Sequence, residues 1–246
     1  MLEDTIAAIA TPLGEGGIAI IRISGIKAVN VGDSVFQPLS KAKNHLANSK
    51  SHTIHYGYIY LNKQRLDEVM VSVMRGPSTF TREDIIEINC HGGIQATKAV
   101  LDAVLKAGAR LAVPGEFTKR AFLHGRIDLT QAEAVLDLIN ARSGLALSAA
   151  NEQLEGKLSQ RINQLRDETM HVLAHVEAHI DFPDEDIEPD TMNGLIERLE
   201  KAKSFIDQLL ATANDGQLIR RGIRVAIIGK PNAGKSSLLN QLLGHD

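Results

Sequence analysis

The chain has 246 residues, 43% of them hydrophobic, which is enough for two buried cores plus a fragment of a third unit. Its formal net charge of −3 and pI near 6.3 exclude nucleic-acid binding through bulk positive charge and leave only a local basic patch. The single cysteine, Cys90, excludes an internal disulfide framework and suits a reducing compartment. No secretory leader precedes Thr5, and no apolar run approaches the ~18 residues of a membrane span, so a soluble, cytoplasmic protein is expected.

Residues 1–118 read as an α+β domain in which strands outnumber helices. A strand is expected over 18–23, after the turn at Gly14, Gly16 and Gly17. Strands at 53–61 and 66–74 pair as a hairpin across Asn62-Lys63. A strand at 85–90 precedes a helix over 93–106 closed by Gly108, and 110–113 returns as a strand before Pro114-Gly115.

Residues 119–221 read as a helical domain. Thr130 and Glu133 have capping-box spacing and open a helix that runs to Asn140. Leu154, Leu158, Ile162, Leu165, Val172, Val176 and Ile180 recur every three or four residues or multiples of that spacing, which predicts one long helix with a continuous packing stripe. The acidic run beginning Asp181-Phe182-Pro183-Asp184-Glu185-Asp186 breaks it, a further helix covers 190–214, and 215–222 is read as a linker.

Residues 222–246 carry the chemistry that is easiest to read. Gly229-Lys230-Pro231-Asn232-Ala233-Gly234-Lys235-Ser236 fits G-x-x-x-x-G-K-[ST]. Arg224-Val225-Ala226-Ile227-Ile228 reads as a buried parallel strand entering the loop, and 236–243 as the helix leaving it. Glycines let backbone N–H groups turn inward on a phosphate, and the helix N-terminus adds partial positive charge. Lys235 then reaches the terminal phosphates and the Ser236 hydroxyl ligates magnesium, whereas the bland alternative is a glycine turn between strand and helix. A P-loop domain needs about 150 residues, so these residues are expected to be only the start of an α/β GTPase domain, truncated after Asp246.

The loop with its Ser237-Leu238-Leu239-Asn240 ending resembles the GTPases of the TrmE–Era–EngA group. Other blocks narrow the resemblance to the MnmE (TrmE) family of tRNA-modification GTPases. They are Asp4-Thr5-Ile6-Ala7-Ala8-Ile9-Ala10-Thr11-Pro12, Arg22-Ile23-Ser24-Gly25, Thr81-Arg82-Glu83-Asp84, Pro114-Gly115-Glu116-Phe117-Thr118 and Asp128-Leu129-Thr130-Gln131-Ala132-Glu133. The resemblance implies an N-terminal domain that binds a one-carbon folate (5-formyl- or 5,10-methylene-tetrahydrofolate) and forms a homodimer. It also implies a helical domain that carries the GTPase domain as an insertion. With an FAD- and NADH-dependent partner, MnmG, in a heterotetramer or larger complex, such a protein adds an aminomethyl or carboxymethylaminomethyl group to C5 of the wobble uridine of certain tRNAs. No membrane is involved.

Carried over by that resemblance, Arg22, Glu87 and Arg126 are expected to contact folate, with Arg126 standing where the family can have lysine. Guanidinium groups suit the acidic folate tail, and a carboxylate suits the donor-rich pterin edge. Arg22, in an apolar strand, could equally be an edge-strand charge. Asn232, Ala233, Gly234, Lys235, Ser236 and Ser237 are expected to bind GTP or GDP. Asn232 has two readings: a loop residue tolerant of unusual backbone angles, or a potassium ligand beside the phosphates.

Several other features receive structural readings. His171, His175 and His179 are taken as a solvated or dimer-facing stripe rather than a metal site, and the acidic run 181–190 as an interhelical turn rather than a calcium loop. Cys90 is a strand residue, His124 receives no role, and Arg220, Arg221 and Arg224 flank the nucleotide segment. Three rival functions compete with this reading: a folate-dependent aminomethyltransferase, an Era-type ribosome-assembly GTPase, and a folate module with an inactive P-loop. The P-loop argues against the first and the long N-terminal region against the second.

Overall fold

The computed structural model describes residues 4–39, 45–182, 192–221 and 225–244. The chain divides into two compact units, Met1–Leu136 with Leu154–Gly156, and Asp137–Gln153 with Lys157–Asp246. The fold is an α+β N-terminal region followed by helices.

The first unit is built on a seven-stranded mixed sheet. Its strands are β1 (Ile6–Ile9), β2 (Ile18–Ser24), β3 (Phe36–Pro38), β4 (Thr53–Leu61), β5 (Gln64–Met74), β6 (Ile85–His91) and β7 (Arg110–Leu111), in the order β3-β4-β5-β6-β2-β1-β7. Helices α1 (Ala28–Val35) and α2 (Ile94–Lys106) cover one face. Because side chains alternate along a strand, Ala19, Ile21 and Ile23, Val69, Val71 and Val73, and Ile86, Ile88 and Cys90 all enter that core. The residues between them point to the opposite face. Register there aligns Ser72, Glu87, Arg22 and Ala8 in one row and Met70, Asn89 and Ile20 in the next.

The hairpin forms where expected, with Asn62 and Lys63 both at positive φ (49° and 68°), the conformation that matches the twist of the flanking strands. Strand β5 begins two residues earlier than the 66–74 expectation, because Gln64 and Arg65 pair across a bulge at Ile59/Tyr60. Strand β7 is shorter than 110–113, since it pairs only with β1. Strands β1 and β3 and helix α1 had no separate sequence expectation: Ile6-Ala7-Ala8-Ile9 is an apolar run without alternation, and β3 has only three residues.

Helix α3 (Glu116–Leu123) follows, then α4 (Leu129–Asn140). The expected capping box is displaced. Gln131 N donates to Asp128 Oδ1 (2.9 Å) and Asp128 N donates to Gln131 Oε1 (2.9 Å), so the reciprocal pair is Asp128/Gln131 rather than Thr130/Glu133. Asp is as good a cap acceptor as Thr and lies immediately before the first helical residue.

In the second unit the long helix is two helices, α5 (Gly144–Leu154) and α6 (Lys157–Asp181), separated at Gly156 with φ +79°. Leu154 therefore belongs to α5. The stripe is not continuous packing: Val172 is 7% exposed, but Ile162 is 45% and Ile180 71%. Helix α7 (Met192–Arg221) packs on α6 and runs through the expected linker, since one glycine costs a helix only about 1 kcal/mol and Gln217-Leu218-Ile219-Arg220-Arg221 favour it. Of the acidic run, 183–190 lie outside the described residues, as do Gly222 and Arg224. No described helix is long and apolar enough to cross a membrane.

Candidate functional site

Two sequence-predicted residues meet on the sheet face opposite α1 and α2. Arg22 on β2 lies directly across from Glu87 on β6, and both its Nε and its terminal nitrogen reach Glu87 Oε1 at 2.7 Å. Glu87 Oε2 takes no hydrogen bond among the described residues, so it remains an open acceptor on a partly buried carboxylate. Phe117 of α3 places its ring 5.8 Å from the Arg22 guanidinium. The arrangement combines a fixed charge pair, a free carboxylate oxygen and an aromatic wall, and suits a flat ligand with several N–H donors.

Arg126 bonds to neither of them. It follows α3, stacks over Phe80 at 4.9 Å and donates to Phe80 O at 3.3 Å. With Arg82 it lines a groove of about 470 Å³ that also includes Met74, Ser78 and Thr79. Neither Arg82 nor Phe80 carries a sequence signal for this groove, since nothing in a lone arginine shows which way it faces.

The loop carrying these residues is held by a buried ionic cluster. Arg120 of α3, 1% exposed, donates to Asp4 Oδ1 (2.6 Å), Asp4 O (2.9 Å), Glu83 Oε1 (3.0 Å) and Glu116 Oε1 (3.3 Å). Ser24 donates to Glu83 Oε2 at 2.6 Å. Hydrogen bonds from Arg110 hold the Glu116 carboxyl down at about 2 against the opposing effect of its burial, with Val113 N–H and Arg120 adding to the lowering. His124, given no role from sequence, is a clip: its Nδ1 lies 2.6 Å from Thr81 O, which can only accept, and its own carbonyl accepts from Arg82 at 3.0 Å. Cys90 faces the core, and burial pushes its thiol up to about 11.

The nucleotide loop has the expected turns but not the expected strand. Val225 and Ile228 are 79% and 90% exposed, and 225–229 pair with no strand among the described residues; a parallel strand forms only against a neighbour. Asn232 and Gly234 adopt left-handed backbone (φ 59° and 80°), and α8 (Lys235–Leu243) starts immediately after Gly234. Lys235 Nζ folds back onto Gly229 O (3.1 Å) and Lys230 O (2.8 Å), while Ser236 and Ser237 stand in the first turn of α8. The ammonium thus already sits in the loop's mouth, held by carbonyls that a phosphate would replace. The left-handed Asn232 fits its conformational reading. His175 and His179 meet edge to face with ring centroids 4.8 Å apart.

Residues 5–126 match the family model described as GTP-binding protein TrmE N-terminus, and 129–245 match the MnmE helical domain. The chain belongs to the MnmE family. It is 54% identical over 241 residues to the tRNA modification GTPase MnmE of Listeria innocua and 56% identical over 241 residues to that of Lactococcus lactis subsp. cremoris. The MnmE of Bacillus velezensis is 54% identical over 244 residues. Each alignment takes in 98% of this chain and 52% of the relative, so the chain spans about half the length of the curated relatives it matches.

Proposed function

We propose that the chain serves in a tRNA-modification GTPase that, with an FAD-dependent partner of the MnmG kind, adds an aminomethyl or carboxymethylaminomethyl group to C5 of the wobble uridine. A tetrahydrofolate supplies the one-carbon unit, and GTP hydrolysis drives the cycle. The observation that carries the folate part is the Arg22–Glu87 pair with its free Oε2. A pterin edge presents N–H donors that this oxygen can accept, and Arg22 holds the carboxylate in its orientation. Arg126 offers a guanidinium to the acidic end of the same ligand.

GTP or GDP is assigned to Asn232, Ala233, Gly234, Lys235, Ser236 and Ser237, with Ser236 holding magnesium and Asn232 holding potassium. Those ions supply positive charge to the phosphates. The donor chemistry fits: Ser236 offers a hydroxyl at a helix N-terminus and Asn232 a side-chain carbonyl on the same turn. The N-terminal α+β region is assigned the homodimer contact, and the working protein is placed in the cytoplasm with tRNA as substrate.

Titration calorimetry with 5-formyl-tetrahydrofolate tests the reading. Glu87→Gln and Arg22→Ala are expected to weaken binding at least tenfold while leaving the far-UV circular dichroism unchanged. Folate affinity unaffected by both substitutions would remove the site. A fluorescent GTP analogue with magnesium is expected to bind and to be lost in Lys235→Ala.

A further inference from the structure

The groove at Arg82 and Arg126 has more positive charge than the fold needs. Neither guanidinium has a carboxylate partner among the described residues; each spends one donor on a backbone carbonyl, His124 O for Arg82 and Phe80 O for Arg126. No acidic residue lines the groove, and the nearest in sequence, Glu83, is committed to Arg120 and Ser24. Arg82 also holds a left-handed backbone (φ 61°) that an arginine adopts against its preference and a glycine would take freely. Its carbonyl and Glu83 crowd Gly76, and its guanidinium lies beside Gly125, so the surrounding chain fixes this conformation. Two exposed guanidiniums with eight unspent N–H donors between them, beside a half-buried aromatic ring and the Ser78 hydroxyl, form a receptor for paired carboxylates.

Register ties this groove to the Glu87 site. Met74, which lines it, is two residues along β5 from Ser72, the cross-strand partner of Glu87, and projects from the same face of the sheet. Two residues of strand span about 7 Å. A ligand whose donor-rich ring lies at Glu87 can therefore run its tail over Met74 to the two arginines.

We infer that the Arg82–Arg126 groove binds the glutamate-tail carboxylates of the folate, and that Arg82 makes the site prefer polyglutamylated over monoglutamylated folate. The inference rests on the folate reading of Arg22 and Glu87. A second glutamate places a second carboxylate within reach of a second guanidinium, and charge-assisted pairs of this kind contribute about tenfold in affinity.

The test is titration of the purified protein with the mono- and triglutamate forms of 5-formyl-tetrahydrofolate. The unmodified protein is expected to bind the triglutamate about tenfold tighter. Arg82→Gly, which removes the guanidinium and relaxes the backbone so that the fold is kept, is expected to bring that preference under about twofold, with Arg82→Lys between. A preference retained in Arg82→Gly, or none in the unmodified protein while both folates bind, overturns the tail assignment alone. Failure of either folate to bind the unmodified protein overturns the folate reading and this inference with it. A loss of tRNA binding in Arg82→Gly with both folate affinities intact assigns the groove to phosphates and likewise overturns it.

Discussion

Arg120→Met is the most informative perturbation of the first unit. The side chain is 1% exposed and reaches Asp4, Glu83 and Glu116 at 2.6–3.3 Å, and the Glu83 and Glu116 side chains are themselves only 10% exposed. Removing the guanidinium strands the buried Glu83 carboxylate, while Glu116 keeps Arg110 and the Val113 N–H; the typical loss for a buried pair broken in this way is about 3–5 kcal/mol. Arg120 Nε already lacks a partner, so the native cluster carries an uncompensated polar atom and its net contribution is smaller than the loss on breaking it. Adding Glu83→Gln should then recover part of the loss, about 1–2 kcal/mol, by removing one stranded charge. The exposed pair Lys201–Glu197 (72% and 66%) is the control, expected to leave the unfolding midpoint unchanged when cut. The chain has no tryptophan, so urea unfolding followed by circular dichroism is the assay. A loss below about 1 kcal/mol for Arg120→Met, or a double variant no more stable than the single, would refute the argument.

Other expectations follow from single sites. The Glu116 carboxyl is held at about 2, below its usual 4.5, so the stability it contributes is fully present above about pH 4.5 and is lost as pH falls toward 2; Glu116→Gln should flatten that part of a pH–stability curve. The Cys90 thiol, buried and raised to about 11, should stay unreactive to a disulfide reagent at pH 8 and react at once in denaturant; rapid native labelling would contradict its placement in the core. Lys63→Gly should raise stability by about 0.5–1 kcal/mol, because Lys63 holds φ 68° in the hairpin turn, and a melting temperature unchanged or lowered would show that the turn is not strained.

The legibility of this molecule divides along the range of the forces involved. The hairpin, the helix closed by Gly108 and the P-loop turns were readable because glycines, turn residues and alternation act within a few residues of themselves. The Arg22–Glu87 pair was reached only through resemblance; 65 positions separate the two residues, and only sheet register brings them together. Helix boundaries misled where local signals competed. Asp128 and Thr130 are both good caps, and the chain used the one that left Gln131 free to reciprocate. Gly156 at φ +79° ended a helix inside an apolar stripe, while Gly216 did not end α7, since a glycine terminates a helix only where the chain takes a left-handed turn.

Arg82 and Arg120 show why charge is the hardest feature to read from a sequence. They are the same residue type, yet one is buried among carboxylates and the other is exposed without one among the described residues. Sequence spacing cannot separate them. The difference is made by Glu83, whose carboxylate turns inward to Arg120 and Ser24 rather than outward to the neighbouring arginine. Satisfying the buried cation first therefore leaves the exposed one available to a ligand. The unpaired donors of the groove are in this sense a by-product of how the buried cluster is neutralised. Glu83→Gln should accordingly lower stability through Arg120 while leaving the free donors of Arg82 in place.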